Sequence, residues 1–228
     1  MEEFKKLGLS ESFIKNLEKI GFKQPTEIQA KTIPIALAGK DIIGGSATGS
    51  GKTLAFGASI VEHLSPGKGI QALILTPTRE LAEQVGRALE NFSKHVKARV
   101  TMVYGGVGIS PQVYALERAD IVVGTPGRIL DHLERGSLKL GTIKTLVLDE
   151  ADRMLDMGFI DDVTRIIEVC PRERQTMLFS ATISQDITYI AKKYMKSPAE
   201  VAVASYVDPS KLEQVFYDVP KHLKFSLL

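Results

Sequence analysis

The stretch SATGSGKT at residues 46–53 follows an apolar pair at 42–43 and precedes a further apolar run. This order predicts a strand, a Gly-rich turn and the start of a helix. Glycine lets a backbone approach a ligand closely, and the first N–H groups of a helix attract anions. Lys52 can reach terminal phosphates and the Thr53 hydroxyl can ligate Mg²⁺, so the stretch predicts a phosphate-binding loop. The strict pattern opens with glycine rather than serine, and an ordinary Gly-rich turn is the alternative.

A second apolar run, Leu-Val-Leu at 146–148, ends in Asp-Glu-Ala-Asp at 149–152. An all-apolar run fits a strand that is buried on both faces of a parallel sheet. Because ligands of such sheets bind outside the carboxyl ends of the strands, Asp149 and Glu150 are expected beside the phosphate-binding loop. Asp149 would hold Mg²⁺, and Glu150 would orient or deprotonate the attacking water. An acidic helix start explains the carboxylates but not both motifs together, so the sequence predicts an ATP·Mg²⁺ site.

Residues 149–152 spell DEAD, and the chain resembles the first RecA-like domain of a DEAD-box ATP-dependent RNA helicase. In that family the phosphate-binding loop commonly opens with Ala where this chain has Ser46. The resemblance covers essentially the whole chain, and the family's motifs occur in the family's order. They are a Q motif at 21–29, the phosphate-binding loop, PTREL at 77–81, GG at 105–106, TPGR at 125–128, DEAD at 149–152 and SAT at 180–182.

Apolar strand-like runs that alternate with helical patterns predict an α/β, doubly wound, mainly parallel sheet with helices on both faces. The resemblance implies that this is a RecA-like P-loop NTPase domain over residues 1–218. Its Q motif region would be 1–29, its ATP-binding core 30–218, and residues 219–228 would begin a linker to a second RecA-like domain that this chain lacks. The predicted strands lie at 42–43, 72–75, 100–104, 121–123, 146–148, 177–179, 201–203 and 215–217.

Local chemistry interprets Thr26 and Gln29 as a capping box at a helix start. The resemblance implies instead that Gln29 reads the adenine edge and that Phe22 stacks on the ring; an amide can satisfy both a donor and an acceptor of adenine. The implied nucleotide-binding residues are Phe22, Gln29, Thr48, Gly49, Ser50, Gly51, Lys52 and Thr53. Lys52, Asp149 and Glu150 would be catalytic, and Thr53 and Asp149 would hold the metal.

Two predicted helix starts carry an arginine close to free N–H groups, a combination suited to phosphate. For Arg79 the alternative is an exposed salt bridge with a nearby acid. Thr125 before Pro126 is also ordinary helix-start chemistry, which is compatible with phosphate binding. The paired glycines at 105–106 could form a simple turn. The resemblance implies that the RNA backbone is contacted by Thr78, Arg79, Gly105, Gly106, Thr125 and Arg128.

Ser180 and Thr182 follow the apolar run at 177–179. The resemblance implies that they couple the ATP state to RNA binding by hydrogen bonding toward the DEAD acids, with Asp152 in the coupling set. A Ser/Thr turn before a helix capped by Ser184 is the alternative, and spacing alone does not exclude it.

Composition describes an ordinary globular chain of 228 residues, 44% apolar and 25% charged. Its net charge, 29 − 27 = +2, is too small to establish a nucleic-acid partner. The single Cys170 cannot form an internal disulfide, which suits a reducing compartment, and no apolar run approaches the ~18 residues of a membrane span. These features predict a cytoplasmic protein without membrane contact. No zinc-ligand spacing and no Gly-x-Ser-x-Gly elbow occurs.

The resemblance implies ATP hydrolysis coupled to unwinding of short RNA duplexes, with single-stranded or duplex RNA held through its backbone. The second domain would supply arginines to the ATP site, so little activity is expected from this chain alone. One alternative is a nucleotide-gated module that binds RNA or protein without turnover. Another is a domain of a DNA translocase with the same core.

Overall fold

Seven strands form one sheet in the computed structural model, which describes residues 1–45, 49–203, 215, 217, 219 and 220. The strand order is β3-β4-β2-β5-β6-β1-β7, and all of the paired strands are parallel. The predicted doubly wound α/β sheet is therefore confirmed. The strands are β1 (Ile42–Gly45), β2 (Ala72–Leu75), β3 (Val100–Val103), β4 (Ile121–Gly124), β5 (Thr145–Leu148), β6 (Gln175–Ser180) and β7 (Ala199–Ala202).

Helices connect the strands, and three of them begin at side-chain caps. The hydroxyls of Ser10, Thr78 and Ser184 each accept a hydrogen bond from a backbone N–H of the first turn. The helices are α1 (Glu2–Lys6), α2 (Glu11–Lys19), α3 (Glu27–Leu37), α4 (Lys52–Glu62), α5 (Arg79–Phe92), α6 (Ile109–Leu116), α7 (Pro126–Glu134), α8 (Ala151–Asp156), α9 (Ile160–Val169) and α10 (Gln185–Tyr194).

Helices cover both faces of the sheet, so side chains on either side of a strand are buried. In β2, Ala72 and Ile74 join an apolar cluster with α2 to α5, whereas Leu73 and Leu75 join a second cluster with α7 to α10. A strand buried on both faces needs apolar residues at every position, which explains the continuous apolar runs of the sequence. Each such side chain stabilises the fold by roughly 1.5–3 kcal/mol.

Some predicted boundaries differ from the structure. The strand predicted at 42–43 extends to Gly45, and the helix after the Gly-rich turn begins at Lys52, where the left-handed backbone of Gly51 (φ 94°) ends the loop. The predicted strand at 215–217 is wrong at residues 215 and 217, which adopt no strand; residue 216 and the predicted linker residues 221–228 lie outside the described residues.

All loops that follow the strands emerge at one edge of the sheet because the paired strands are parallel. The loops after β1, β6 and β5 lie in one half of this edge, and those after β2, β4 and β3 lie in the other. The two halves meet where β2 pairs with β5. The described residues contain no helix with the length and apolarity to cross a membrane.

Candidate nucleotide and nucleic-acid site

A buried ion pair stands at the edge formed by β1, β6 and β5. Lys52 begins α4 and Asp149 follows β5; their Nζ and Oδ1 atoms lie 3.8 Å apart. Lys52 is 7% exposed and Asp149 is 3% exposed. Burial raises the pKa of Asp149 to about 6, against the lowering effect of the Lys52 ammonium. The fold thus brings together the basic and acidic motifs that the sequence predicted to be neighbours.

The donor set at this edge fits a hard divalent cation. Thr53, in the first turn of α4, is half-buried and offers a hydroxyl, and Asp149 offers a carboxylate whose charged form is penalised by burial. A cation beside that carboxylate would relieve the penalty, and oxygen atoms are the ligands that Mg²⁺ takes in proteins. No group of three or more His, Cys, Asp or Glu side chains that could hold a metal occurs among the described residues. Phosphates and water would therefore complete such a site.

Gln29 ties the start of α3 to the phosphate-binding loop. Its Oε1 accepts a hydrogen bond from the Thr26 N–H (2.9 Å), and its Nε2 donates to the Gly51 carbonyl (3.0 Å). The Thr26 hydroxyl donates to the Ser50 carbonyl (2.9 Å). The capping role of Gln29 is therefore present, and the predicted adenine contact would use the remaining donor and acceptor capacity of the same amide.

Gly51 is needed at this contact for two reasons. Its φ of 94° is a left-handed conformation that L side chains rarely adopt, and a Cβ here would lie 2.4 Å from Gln29 Nε2. Of the other predicted nucleotide-binding residues, Gly49 and Ser50 lie in the same loop, and Thr48 lies outside the described residues. Close packing therefore requires glycine at position 51 whether or not a ligand is bound.

Phe22, predicted to stack on adenine, has aromatic neighbours within the protein. Its ring meets those of Phe4 and Phe92 edge to face, with centroids 6.4 and 5.9 Å away. These contacts fix the orientation of a half-buried ring. Stacking on a base stays a prediction for this residue.

Glu150 adopts a strained backbone directly after β5. Its φ of 51° and ψ of 51° lie in the left-handed region, which a non-glycine residue occupies at a cost of roughly 1–2 kcal/mol. Its side chain is 13% exposed and pairs with Arg153, Oε2 to Nη1, at 3.3 Å. Strain of this kind often marks a functional position.

Asp152 connects the DEAD acids to the loop after β6. Its Oδ2 accepts hydrogen bonds from the Thr182 hydroxyl (3.1 Å) and from the N–H groups of Ala181 and Thr182. Ser180 Oγ accepts from the Asp152 N–H (3.2 Å) and donates to the Thr182 carbonyl (2.7 Å). Burial raises the pKa of Asp152, but hydrogen bonds, the first from the Arg153 N–H, outweigh it and leave the pKa lowered. The two hydroxyls thus do meet the DEAD segment, as predicted.

Arg79 lies in the other half of the edge, where its charge is already paired. Its Nε is 3.2 Å from Glu83 Oε1, and its guanidinium carbon lies 5.1 Å from the centre of the Tyr104 ring. The Tyr104 hydroxyl donates to the same Glu83 oxygen (2.8 Å). The exposed salt bridge considered for Arg79 is present, and neither Glu83 nor Tyr104 was predicted to be part of it. The spacing of Arg79 and Glu83, one helical turn apart, could have indicated the pair.

Arg128 and the paired glycines lie together beside Arg79. Arg128 Nη1 donates to the Val107 carbonyl (3.1 Å), and the residue is only 15% exposed at its side chain. Thr78 caps α5 through its hydroxyl, and Thr125 stands at the N-terminus of α7 without a side-chain capping bond. Gly105 is exposed, and a Cβ there would meet nothing within 4 Å. The fold therefore brings all of the predicted RNA-binding residues to one half of the edge.

The comparisons with known proteins are consistent with this geometry. The family model described as "DEAD/DEAH box helicase" matches residues 26–190. The DEAD-box ATP-dependent RNA helicase CshA of Bacillus cereus is 46% identical over 231 aligned positions, and the ATP-dependent RNA helicase CshA of Listeria monocytogenes is 47% identical. Each alignment covers 100% of this chain but 44% of the relative, so the chain spans less than half of their length.

Two solved structures are also similar to this chain. A DEAD box protein from the hyperthermophile Methanococcus jannaschii is 42% identical with a TM-score of 0.86, over 98% of this chain and 61% of that one. A hypothetical ATP-dependent RNA helicase from Sulfolobus tokodaii is 38% identical with a TM-score of 0.80, over 86% of this chain and 57% of that one. At these identities the likeness extends beyond the fold to the amino-acid sequence.

Proposed function

Because the chain belongs to the DEAD/DEAH box helicase family, we propose that it is the ATP- and RNA-binding half of an ATP-dependent RNA helicase. The observation that carries this proposal is the buried Lys52–Asp149 pair beside the phosphate-binding loop. A buried lysine and carboxylate at the carboxyl ends of parallel strands form a site suited to nucleotide phosphates with a divalent cation. A second RecA-like domain would complete the site. The relatives are more than twice as long as this chain and therefore have room for such a domain.

In this proposal each residue of the nucleotide edge has a chemical role. Lys52 holds the terminal phosphates, Gln29 reads adenine, and Phe22 stacks on it. Thr53 and Asp149 hold Mg²⁺, which when bound neutralises phosphate charge. Glu150 orients the attacking water or takes its proton. Asp152, Ser180 and Thr182 transmit the nucleotide state toward the RNA, since their hydrogen bonds join the loops after β5 and β6.

In the proposed RNA site, Arg79 and Arg128 with the helix N-termini at Thr78 and Thr125 hold backbone phosphates, and Gly105 and Gly106 allow close approach. Contacts of this kind position a strand without reading its bases. The proposal includes unwinding of short duplexes by the two-domain protein. It also includes a cytoplasmic location, which rests on the single cysteine.

Steady-state ATP hydrolysis with and without single-stranded RNA tests the proposal. We expect the chain alone to bind ATP with almost no turnover, and the two-domain protein to show RNA-stimulated turnover that Glu150→Gln lowers at least about 100-fold while ATP affinity is retained. Exposed Glu173→Gln is the matched control for loss of one carboxylate. Strong turnover by the single domain would contradict the proposed need for a second half.

The same assays separate the alternatives. A nucleotide-gated binding module would bind RNA or protein only with ATP and would show no turnover even in the longer protein. A DNA translocase would bind DNA of equal length at least as tightly as RNA, because contacts to the 2′-OH distinguish the two.

A further inference from the structure

The loop at residues 104–108, which carries the paired glycines, is held by side chains. It joins β3 to α6 and is largely exposed. The Gln112 Nε2 donates to the Tyr104 carbonyl (3.1 Å) and lies 3.5 Å from the Gly108 carbonyl, while Arg128 donates to the Val107 carbonyl. The shorter of the two Gln112 contacts is the stronger one. The conformation of the loop therefore depends on Gln112 and Arg128.

Gln112 is itself held by a fully buried histidine. Gln112 is 7% exposed and His132 is 0% exposed, and Gln112 Oε1 lies 3.3 Å from His132 Nε2. Because the amide nitrogen is directed at carbonyl groups, the amide oxygen faces the imidazole, and His132 Nε2 must carry the proton. Burial lowers the pKa of His132, and the nearby Arg128 lowers it further, so the ring is neutral.

A neutral ring with its proton on Nε2 needs a donor at Nδ1, and Ser137 supplies one. The Ser137 hydroxyl lies 2.8 Å from Nδ1. The His132 carbonyl is a competing acceptor at 3.2 Å, but it already accepts from the N–H groups of Ser137 and Leu138. The hydroxyl is thus available to Nδ1, and every polar atom in the chain Ser137–His132–Gln112–Tyr104 has a partner.

This chain of hydrogen bonds, with the contact from Arg128 to Val107, connects α7 to the loop at 104–108 by two routes. The N-terminus of α7 carries Thr125 and Arg128. We propose that Gln112, oriented by His132 and Ser137, is a positioning residue for RNA backbone binding, because it fixes the glycine loop against the start of α7 and makes the two contact sites one rigid unit. This inference rests on the proposed function.

Gln112→Leu tests the inference because it preserves size and burial while removing both hydrogen-bonding ends. We expect the affinity of this chain for a fluorescent single-stranded uridine oligomer to fall about tenfold, with ATP affinity changed less than about twofold. Chymotryptic cleavage after Tyr104 in this loop should accelerate, whereas cleavage after Phe56, which is buried in α4, should not. His132→Phe, which leaves Gln112 without its orienting partner, should give a smaller loss in the same direction.

Gln71→Leu is a matched control. Gln71 is also a buried glutamine (3% exposed) whose amide bonds a loop, through Ser65 and Gly69, but it precedes β2 at the opposite edge of the sheet. Gln71→Leu should lower the melting temperature about as much as Gln112→Leu does and should leave RNA affinity unchanged. Wild-type RNA affinity in Gln112→Leu, or an equal loss in Gln71→Leu, would overturn the inference. Absence of saturable RNA binding by the unsubstituted chain would instead overturn the proposed function.

Discussion

The Lys52–Asp149 pair in one half of the carboxyl edge and the Arg79–Glu83 pair in the other half differ in how deeply they are buried. Beside β1 and β5, Lys52 and Asp149 are buried and face each other at 3.8 Å, a distance longer than a direct hydrogen bond. Beside β2 and β3, Arg79 is half-exposed and already bonded to Glu83. Burying charge costs several kcal/mol per ion, so the first half gains most from a ligand that brings countercharges. Arg79 can only exchange one weak surface partner for another.

The largest expected effect is therefore at Lys52. Lys52→Ala should weaken ATP binding at least about 100-fold, because it removes the proposed phosphate partner and leaves Asp149 without its buried countercharge. Titration calorimetry with ATP and Mg²⁺ measures the affinity, and Lys40→Ala, an exposed lysine before β1, is the control. Unchanged affinity in Lys52→Ala would show that the buried pair is structural only.

Replacing one glycine by alanine in each half of the edge should change the free energy of unfolding by different amounts. Gly51→Ala forces a side chain into left-handed backbone and against Gln29, so we expect it to lower the free energy of unfolding by about 3 kcal/mol. Gly105→Ala meets open space and should change it by less than about 0.5 kcal/mol, yet should lower RNA affinity about fivefold. Denaturant unfolding and RNA titration measure the two quantities. A stable Gly51→Ala variant would remove this contrast.

Substitution of Glu83 tests whether its ion pair with Arg79 weakens the proposed RNA binding. Glu83→Gln should raise RNA affinity about threefold, because Arg79 would no longer have to leave a charged partner in order to bind a phosphate. Arg79→Ala should lower RNA affinity and should reduce the slope of log affinity against log salt concentration by about 1. Glu90→Gln, an exposed acid on the same helix, changes the net charge equally. Equal gains from Glu83→Gln and Glu90→Gln would assign the effect to net charge rather than to the Arg79 pair.

The smallest expected effect is at the loop after β6. Thr182→Val removes one hydroxyl from Asp152, but the N–H groups of Ala181 and Thr182 remain, so the free energy of unfolding should fall by less than about 1 kcal/mol. Thr188→Val, whose hydroxyl donates to the Ser184 carbonyl, is the matched control. We expect only Thr182→Val to weaken the dependence of RNA affinity on ATP. Equal dependence in both variants would contradict the coupling role.

Local patterns were sufficient for much of the fold. The run at 72–75 is a strand with the predicted bounds, and Thr26 with Gln29 forms the predicted capping box at the start of α3. These features depend on burial and on bonds within one turn of chain. The order of the strands in the sheet does not follow from local patterns, because it depends on the path of each crossover between strands.

The site could be predicted where a motif joins chemistry to chain position, as at Lys52 and Asp149. It could not be predicted where a polar residue becomes buried through tertiary contacts. Gln112 and His132 lie twenty residues apart with no local pattern between them, and only the tertiary fold brings their side chains together. The pairing of Tyr104 with Glu83 is of the same kind, since it needs β3 beside α5.

Because Glu150 has a left-handed backbone, the residue that would be most stable at this position differs from the residue that the proposed activity needs. Glu150→Gly and Glu150→Asn both relax the strain at φ 51°, so a laboratory selection for heat tolerance alone should enrich them. Neither substitution keeps the carboxylate that we propose acts on the attacking water. A consensus drawn from heat-selected variants would therefore be a poor guide to this position, and libraries intended to preserve turnover should hold it fixed.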